Sequence, residues 1–111
     1  MDQDRAIAAF AALAQPTRMQ VYRLLVAEGP GGLTASAIAE RLGVVPSTLS
    51  GHLARLRDAG LLRDRRQHRE IHYAADLERV NALVGFLLSE CCGGRVENCR
   101  EVLTLLRVDD G

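Results

Sequence analysis

Apolar residues recur along this chain at two periods, and the change between them marks out its parts. Up to residue 60 the spacing is helical, from 61 to 75 it alternates, and beyond that it is helical again. The sharpest stripe lies in Pro46 to Gly60 (PSTLSGHLARLRDAG), where Leu49, Leu53 and Leu56 recur at i, i+4 and i+7. This spacing predicts a helix with three leucines on one side and Ser47, Thr48, Ser50, Gly51 and Arg55 on the other. Pro46 suits the first turn, where a missing N–H costs nothing, and Gly60 suits the stop. Small polar groups near the start of such a helix suit a DNA major groove. An ordinary surface helix would carry the same stripe, so the neighbouring segments decide.

In chain order, Asp4 to Ala14 is predicted as an Ala-rich helix with Ile7, Phe10 and Ala14 on one side. Gln15-Pro16 breaks it, and Pro16 opens a second helix to Ala27 with Val21, Leu24 and Leu25 facing inward. The loop EGPGGL follows; Thr34 or Ser36 then caps a third helix bearing Ala35, Ile38, Ala39 and Leu42. Gly43 ends it, and only Val44 and Val45 separate that stop from Pro46, which is a helix-turn-helix arrangement. Two short strands are then predicted, joined near Gln67-His68, with Arg65, Arg66, His68 and Arg69 at the tip of the hairpin. Next to a helix-turn-helix, a basic hairpin of this kind is a wing for the phosphate backbone or minor groove. Asp76 caps a last helix whose stripe is Leu77, Val80, Val84, Leu87, Leu88 and Cys91, ended by Gly93-Gly94. With a core already supplied by the earlier elements, that stripe reads as a dimer seam. The Ala-rich first helix is a second candidate for partner contact.

The length of 111 residues fits one domain, and with only two Phe and two Tyr its core must be aliphatic. No apolar run approaches the roughly 20 residues of a membrane span. The first ten residues lack a secretory pattern, so a cytoplasmic protein is expected. The net charge of zero hides a segregation. Residues 51–73 carry six Arg against Asp58, Asp64 and Glu70, while residues 74–111 carry four Arg against seven acids. The excess of positive charge thus sits on the stretch that the pattern assigns to helix and wing.

The segments QPTR (Gln15 to Arg18), STLSGHLARLRDAGLL (Ser47 to Leu62) and RRQHREIHY (Arg65 to Tyr73) resemble the ArsR/SmtB family of winged-helix repressors over nearly the whole chain. The resemblance implies a mainly α fold, a winged helix-turn-helix of five or six helices with one two-stranded hairpin. It also implies a homodimer that pairs through its first and last helices, sits on an inverted-repeat operator in double-stranded DNA and leaves when an inducer binds. On that basis 4–14 and 76–92 are dimerisation helices, 34–60 the helix-turn-helix, 61–75 the wing and 91–99 the inducer-binding segment. Ser47, Thr48, Ser50, Gly51 and His52 fall at DNA-facing positions and Arg66 and Arg69 on the wing; Arg55 and Arg65 join them by charge and place. Gly51 stands where the family carries a larger polar side chain, and Val45 where it carries a Ser-type cap. His52 lies close to the leucine stripe, so it is either a DNA contact or a packed, hydrogen-bonded histidine.

All three cysteines fall within CCGGRVENC, as Cys91, Cys92 and Cys99. A structural disulfide is not expected in a reducing compartment. Cys91 continues the apolar stripe, but Cys92 points about 100° away around a helix, so burial does not account for both. Three thiolates form a soft site, and zinc normally asks for four ligands. No His lies beyond His72, so As(III) or Sb(III) fits the set better. The resemblance points the same way. Zinc sensors of the family carry Asp and His ligands on the last helix, and ADLERVNALVGFLLSE has no His. One arsenic-sensing branch places its cysteines at the start of the helix pair, and SAIAERLGV has none. A third branch, with a vicinal pair and a nearby third cysteine after the last helix, resembles CCGGRVENC. Cadmium, lead, zinc or thiol oxidation remain alternative inducers.

An enzyme would need a nucleophile, a base and an orienting group together. Here the cysteines lie at one end and the three histidines in the DNA-binding half, so no catalytic residue is assigned. A protein-interaction module that does not bind DNA is the remaining class, and the absence of salt-dependent DNA binding would identify it.

Overall fold

The computed structural model describes residues 1–91, the last three by their backbone. The elements run α1 (Gln3–Leu13), α2 (Pro16–Glu28), β1 (Leu33–Thr34), α3 (Ala35–Leu42), α4 (Pro46–Asp58), β2 (Leu62–Gln67), β3 (Glu70–Ala75) and α5 (Leu77–Cys91). Among the described residues five helices and a small antiparallel sheet make a winged helix-turn-helix, as the pattern predicted.

Capping residues fix where the helices begin. The Asp2 carboxylate accepts from the Arg5 N–H at 2.8 Å, and the Gln15 side chain accepts from the Arg18 N–H at 2.8 Å beside Pro16. Thr34, not Ser36, caps α3, its hydroxyl accepting from Ala37 N–H at 3.2 Å. Gly43 ends α3 in the left-handed region at φ 66°. Beyond α4, Gly60 (φ 80°) donates its N–H to the Arg57 carbonyl at 2.9 Å, and Leu61 donates to the Leu56 carbonyl at 3.0 Å. This pair of bonds closes the helix and needs a residue without a Cβ penalty at Gly60.

The core is aliphatic: Val21, Leu25, Ile38, Leu49, Leu53, Leu56, Leu61 and Leu62 are buried, with Tyr22 among them. The Tyr22 hydroxyl is buried without a hydrogen-bond partner among the described residues. Burial, and then the negative charge of Asp76, push its pKa up from 10.0 to about 12. Leu24, expected inside, is only partly buried.

Two apolar faces differ from the pattern. On α1 the buried residues are Ala6, Ala9 and Ala12, whereas Ile7 is 56% and Phe10 38% exposed, and Ala14 lies past the helix end. Three methyl side chains let the α1 backbone lie close against α2 and α4, and bulky groups there would hold it off. On α5 the buried residue is Leu83, outside the expected stripe; Val80 and Phe86 pack partly on the core, and Leu77 and Leu87 stay exposed.

The sheet has three strands in the order β1-β3-β2, where two were expected. Leu33 pairs with Tyr73 and Thr34 with His72. A two-residue strand is too short to show an alternation in sequence, and it exists because β3 offers a free edge. The β2–β3 register runs from Leu62↔Ala75 to Gln67↔Glu70, leaving His68 and Arg69 as the turn. His68 takes the positive φ, 59°, that a tight hairpin asks of Gly or Asn. Among the described residues, no helix is long and apolar enough to cross a membrane.

Candidate nucleic-acid interface

The α4 helix starts without side-chain help. Val45 precedes it in an extended conformation (φ −62°, ψ 130°) and makes no side-chain cap, so Pro46 sets the first turn by its fixed φ. Leu49, Leu53 and Leu56 hold one side in the core at 0–2% exposure. The opposite side is left to Ser47, Thr48, Ser50, Gly51 and Arg55, all exposed. A Cβ built on Gly51 would meet nothing within 4 Å, so packing does not require a glycine there. His52 lies at the border of the two sides. It is half-buried, and its Nδ1 faces an Arg18 guanidinium nitrogen at 3.5 Å, so it has a polar partner within the protein while part of the ring stays accessible.

Local chemistry sorts the basic residues of helix and wing into two groups. Arg57 lies 3.7 Å from the Asp64 carboxylate, and Arg63 lies 3.3 Å from Asp76 and 3.6 Å from Glu78. Those two arginines are spoken for by acids on neighbouring elements. Arg65 reaches, among the described residues, only the neutral amide of Gln67, at 3.5 Å. Among the described residues no ion pair engages Arg55, Arg66 or Arg69, and all three are exposed. Within α4 and the wing, the uncommitted positive charge therefore lies on the outer side of the helix and at the tip of the β2–β3 hairpin. An exposed guanidinium with no carboxylate partner is the group that gains most from a phosphate.

One contact of this region leaves no mark in the sequence pattern: Arg18 joins His52 across 34 positions of chain. Ile71, one of the alternating residues of the wing, stands 45% exposed on β3 opposite Arg66. Of the three cysteines, Cys91 closes α5, while Cys92 and Cys99 lie outside the described residues. Among the described residues no three His, Cys, Asp or Glu side chains gather as a metal site.

Known proteins share this fold and part of this sequence. A family model described as a helix-turn-helix domain matches residues 13–65. The HTH-type transcriptional regulator YgaV of Escherichia coli (strain K12) is 33% identical over 89 residues, spanning 80% of this chain and 88% of that protein. An ArsR-like transcriptional regulator from Rhodococcus sp. RHA1 superposes with a TM-score of 0.71 at 28% identity, over 95% of this chain and 92% of its own. The homodimeric winged helix-turn-helix DNA-binding domain of a possible ArsR-family regulator from Mycobacterium bovis superposes at 0.62 with 29% identity, over 83% of this chain and 85% of its own. These relatives are regulators and not enzymes, and fold, sequence and free basic surface agree: the chain belongs to the ArsR-type winged helix-turn-helix transcriptional regulators, which act by binding DNA.

Proposed function

We propose that the chain is a homodimeric repressor that occupies an inverted-repeat operator and is released by As(III) or Sb(III) taken up at Cys91, Cys92 and Cys99. The observation that carries the DNA-binding part is the uncommitted set Arg55, Arg66 and Arg69, beside the small polar groups of the first turns of α4. Ser47, Thr48, Ser50 and Gly51 then face base edges in the major groove, and Arg65, Arg66 and Arg69 meet phosphates from the wing. In this reading His52 supports α4 from the border of its polar side. The dimer reading is supported by the exposed Ile7 and Phe10 on α1 and Leu77 and Leu87 on α5, and by the homodimeric state of the M. bovis domain. Two-fold symmetry would set the two α4 helices about 34–36 Å apart, one turn of DNA.

The inducer reading rests on the donor set. Three thiols lie within nine residues and every histidine lies at or before His72, so a fourth ligand would have to come from Glu90, Glu97 or water. As(III) and Sb(III) supply a thiophilic centre that such a set satisfies, whereas zinc would need a fourth ligand. Cys91 lies in α5 and Cys92 and Cys99 come later in the sequence, away from the α4 and wing residues assigned to DNA, so release is read as a coupling between sites and not as competition for one surface.

The test is a titration of arsenite, antimonite, zinc and cadmium into the protein bound to DNA from its own promoter. Arsenite or antimonite should release the wild-type protein. Cys91→Ser, Cys92→Ser and Cys99→Ser should each keep DNA binding and lose that release. A full response from all three variants would sink the three-cysteine reading. Release by cadmium or by a thiol oxidant alone reassigns the inducer. Absence of salt-dependent DNA binding would instead leave a protein-interaction module.

A further inference from the structure

Arg18 sits in the first turn of α2 and touches three helices at once. Its backbone N–H is taken by the Gln15 cap at 2.8 Å. Its Nε donates to the carbonyl of Ala12, in the last turn of α1, where a helix leaves carbonyls without an internal partner. Its terminal nitrogen lies 3.5 Å from Nδ1 of His52, one turn beyond Thr48 on α4. The side chain is partly buried, and none of the ion pairs among the described residues includes it. A guanidinium with only donors and a fixed planar fork can hold two acceptors at a set separation; an ammonium cannot do this in the same geometry. Facing a donor, Nδ1 of His52 must act as the acceptor, which puts the ring proton on Nε2.

We propose that Arg18 is a positioning residue for DNA recognition: it ties the carboxyl end of α1 to His52 and so fixes the pose of α4. The consequence is a direct link between the two helices whose outer sides do different work. A change in how α1 is held would reach the DNA-facing side of α4 through one side chain. This inference rests on α4 being the element that reads DNA, and the experiment separates the two.

A preferred duplex is first selected from a random pool with the wild-type protein. Affinity for that duplex and for a scrambled one is then measured at one salt concentration for Arg18→Ala, Arg18→Lys, His52→Ala, His52→Gln, the Arg18→Ala/His52→Ala double variant and Ser47→Ala, alongside thermal unfolding. Arg18→Ala should lower the ratio of the two affinities about tenfold while the protein remains folded at the assay temperature. The double variant should be no worse than the poorer single one, since both break one link. His52→Gln, which keeps an acceptor, should retain more of the ratio than His52→Ala, and Arg18→Lys should retain less than wild type. Equal losses on both duplexes would make Arg18 a phosphate contact and overturn the proposal. An additive double variant, or a lowered melting temperature with an unchanged ratio, would overturn it as well. If Ser47→Ala keeps the wild-type ratio, α4 is not the reading element and both readings fall. If Ser47→Ala lowers the ratio and Arg18→Ala does not, the positioning role alone fails.

Discussion

The α1 and α4 helices are of similar length and both amphipathic by sequence, yet they use their apolar residues in opposite ways. The α4 helix spends its leucines inside the protein: Leu49, Leu53 and Leu56 are at most 2% exposed, and what remains outside is polar. In α1 the arrangement is reversed. It buries Ala6, Ala9 and Ala12 and leaves Ile7 and Phe10 in solvent. One helix is anchored by large side chains and shows a polar surface. The other is anchored by close backbone approach and shows an apolar one. The difference teaches that a buried side is identified by what the neighbouring element can accommodate, and that size can outrank hydrophobicity in choosing it.

The comparison breaks first at the leucines. Leu53→Ala leaves a cavity beneath α4 and should cost about 2–5 kcal/mol in a urea denaturation curve, enough to unfold much of a small domain. Phe10→Ala should cost far less in the folding of a single chain, because its ring is 38% exposed. In the proposed dimer its effect belongs to association. With Ile7→Ser it should leave the protein monomeric at micromolar concentration in analytical ultracentrifugation where the wild type dimerises; a dimer unchanged by the pair would assign the α1 surface to something else. The smallest effect is on the outer side of α4. Gly51→Ala meets open space and a good helix former replaces a poor one, so the free protein should gain about 0.5–1 kcal/mol. Calorimetry of the free protein, set beside DNA affinity, shows whether that glycine serves folding or contact.

The same contrast explains what the sequence made legible. The α4 stripe was plain because leucines at helical spacing have one economical destination. The boundaries at Thr34, Gly43 and Gly60 were legible because caps and left-handed positions demand particular residues. The orientation of α1 was not, since alanine is compatible with either side until a neighbour is present. Leu83 on α5 was missed for a related reason: the longer stripe through Leu77, Val80, Val84 and Leu87 masked it, and among the described residues of the helix Leu83 alone turns fully into the core. The β1 strand and the Arg18–His52 contact are products of tertiary proximity and leave no periodic trace. The sequence named Arg55, Arg65, Arg66 and Arg69 as candidate DNA contacts; that Asp64, Asp76 and Glu78 engage their neighbours Arg57 and Arg63 instead shows only in the fold.

The buried hydroxyl of Tyr22, unpartnered among the described residues, gives the fold an alkaline boundary. In the unfolded chain this phenol releases its proton near pH 10, whereas in the folded protein it holds the proton to about 12. Between those values the unfolded chain binds fewer protons than the native one. Linkage then requires stability to be complete below pH 10 and to fall as the pH climbs toward 12. The carboxylate of Asp76, which caps α5 by accepting from the Arg79 N–H at 3.2 Å, adds to the resistance against forming a phenolate. A single aromatic ring thus couples the start of the last helix to proton activity in the surrounding water, from inside the core.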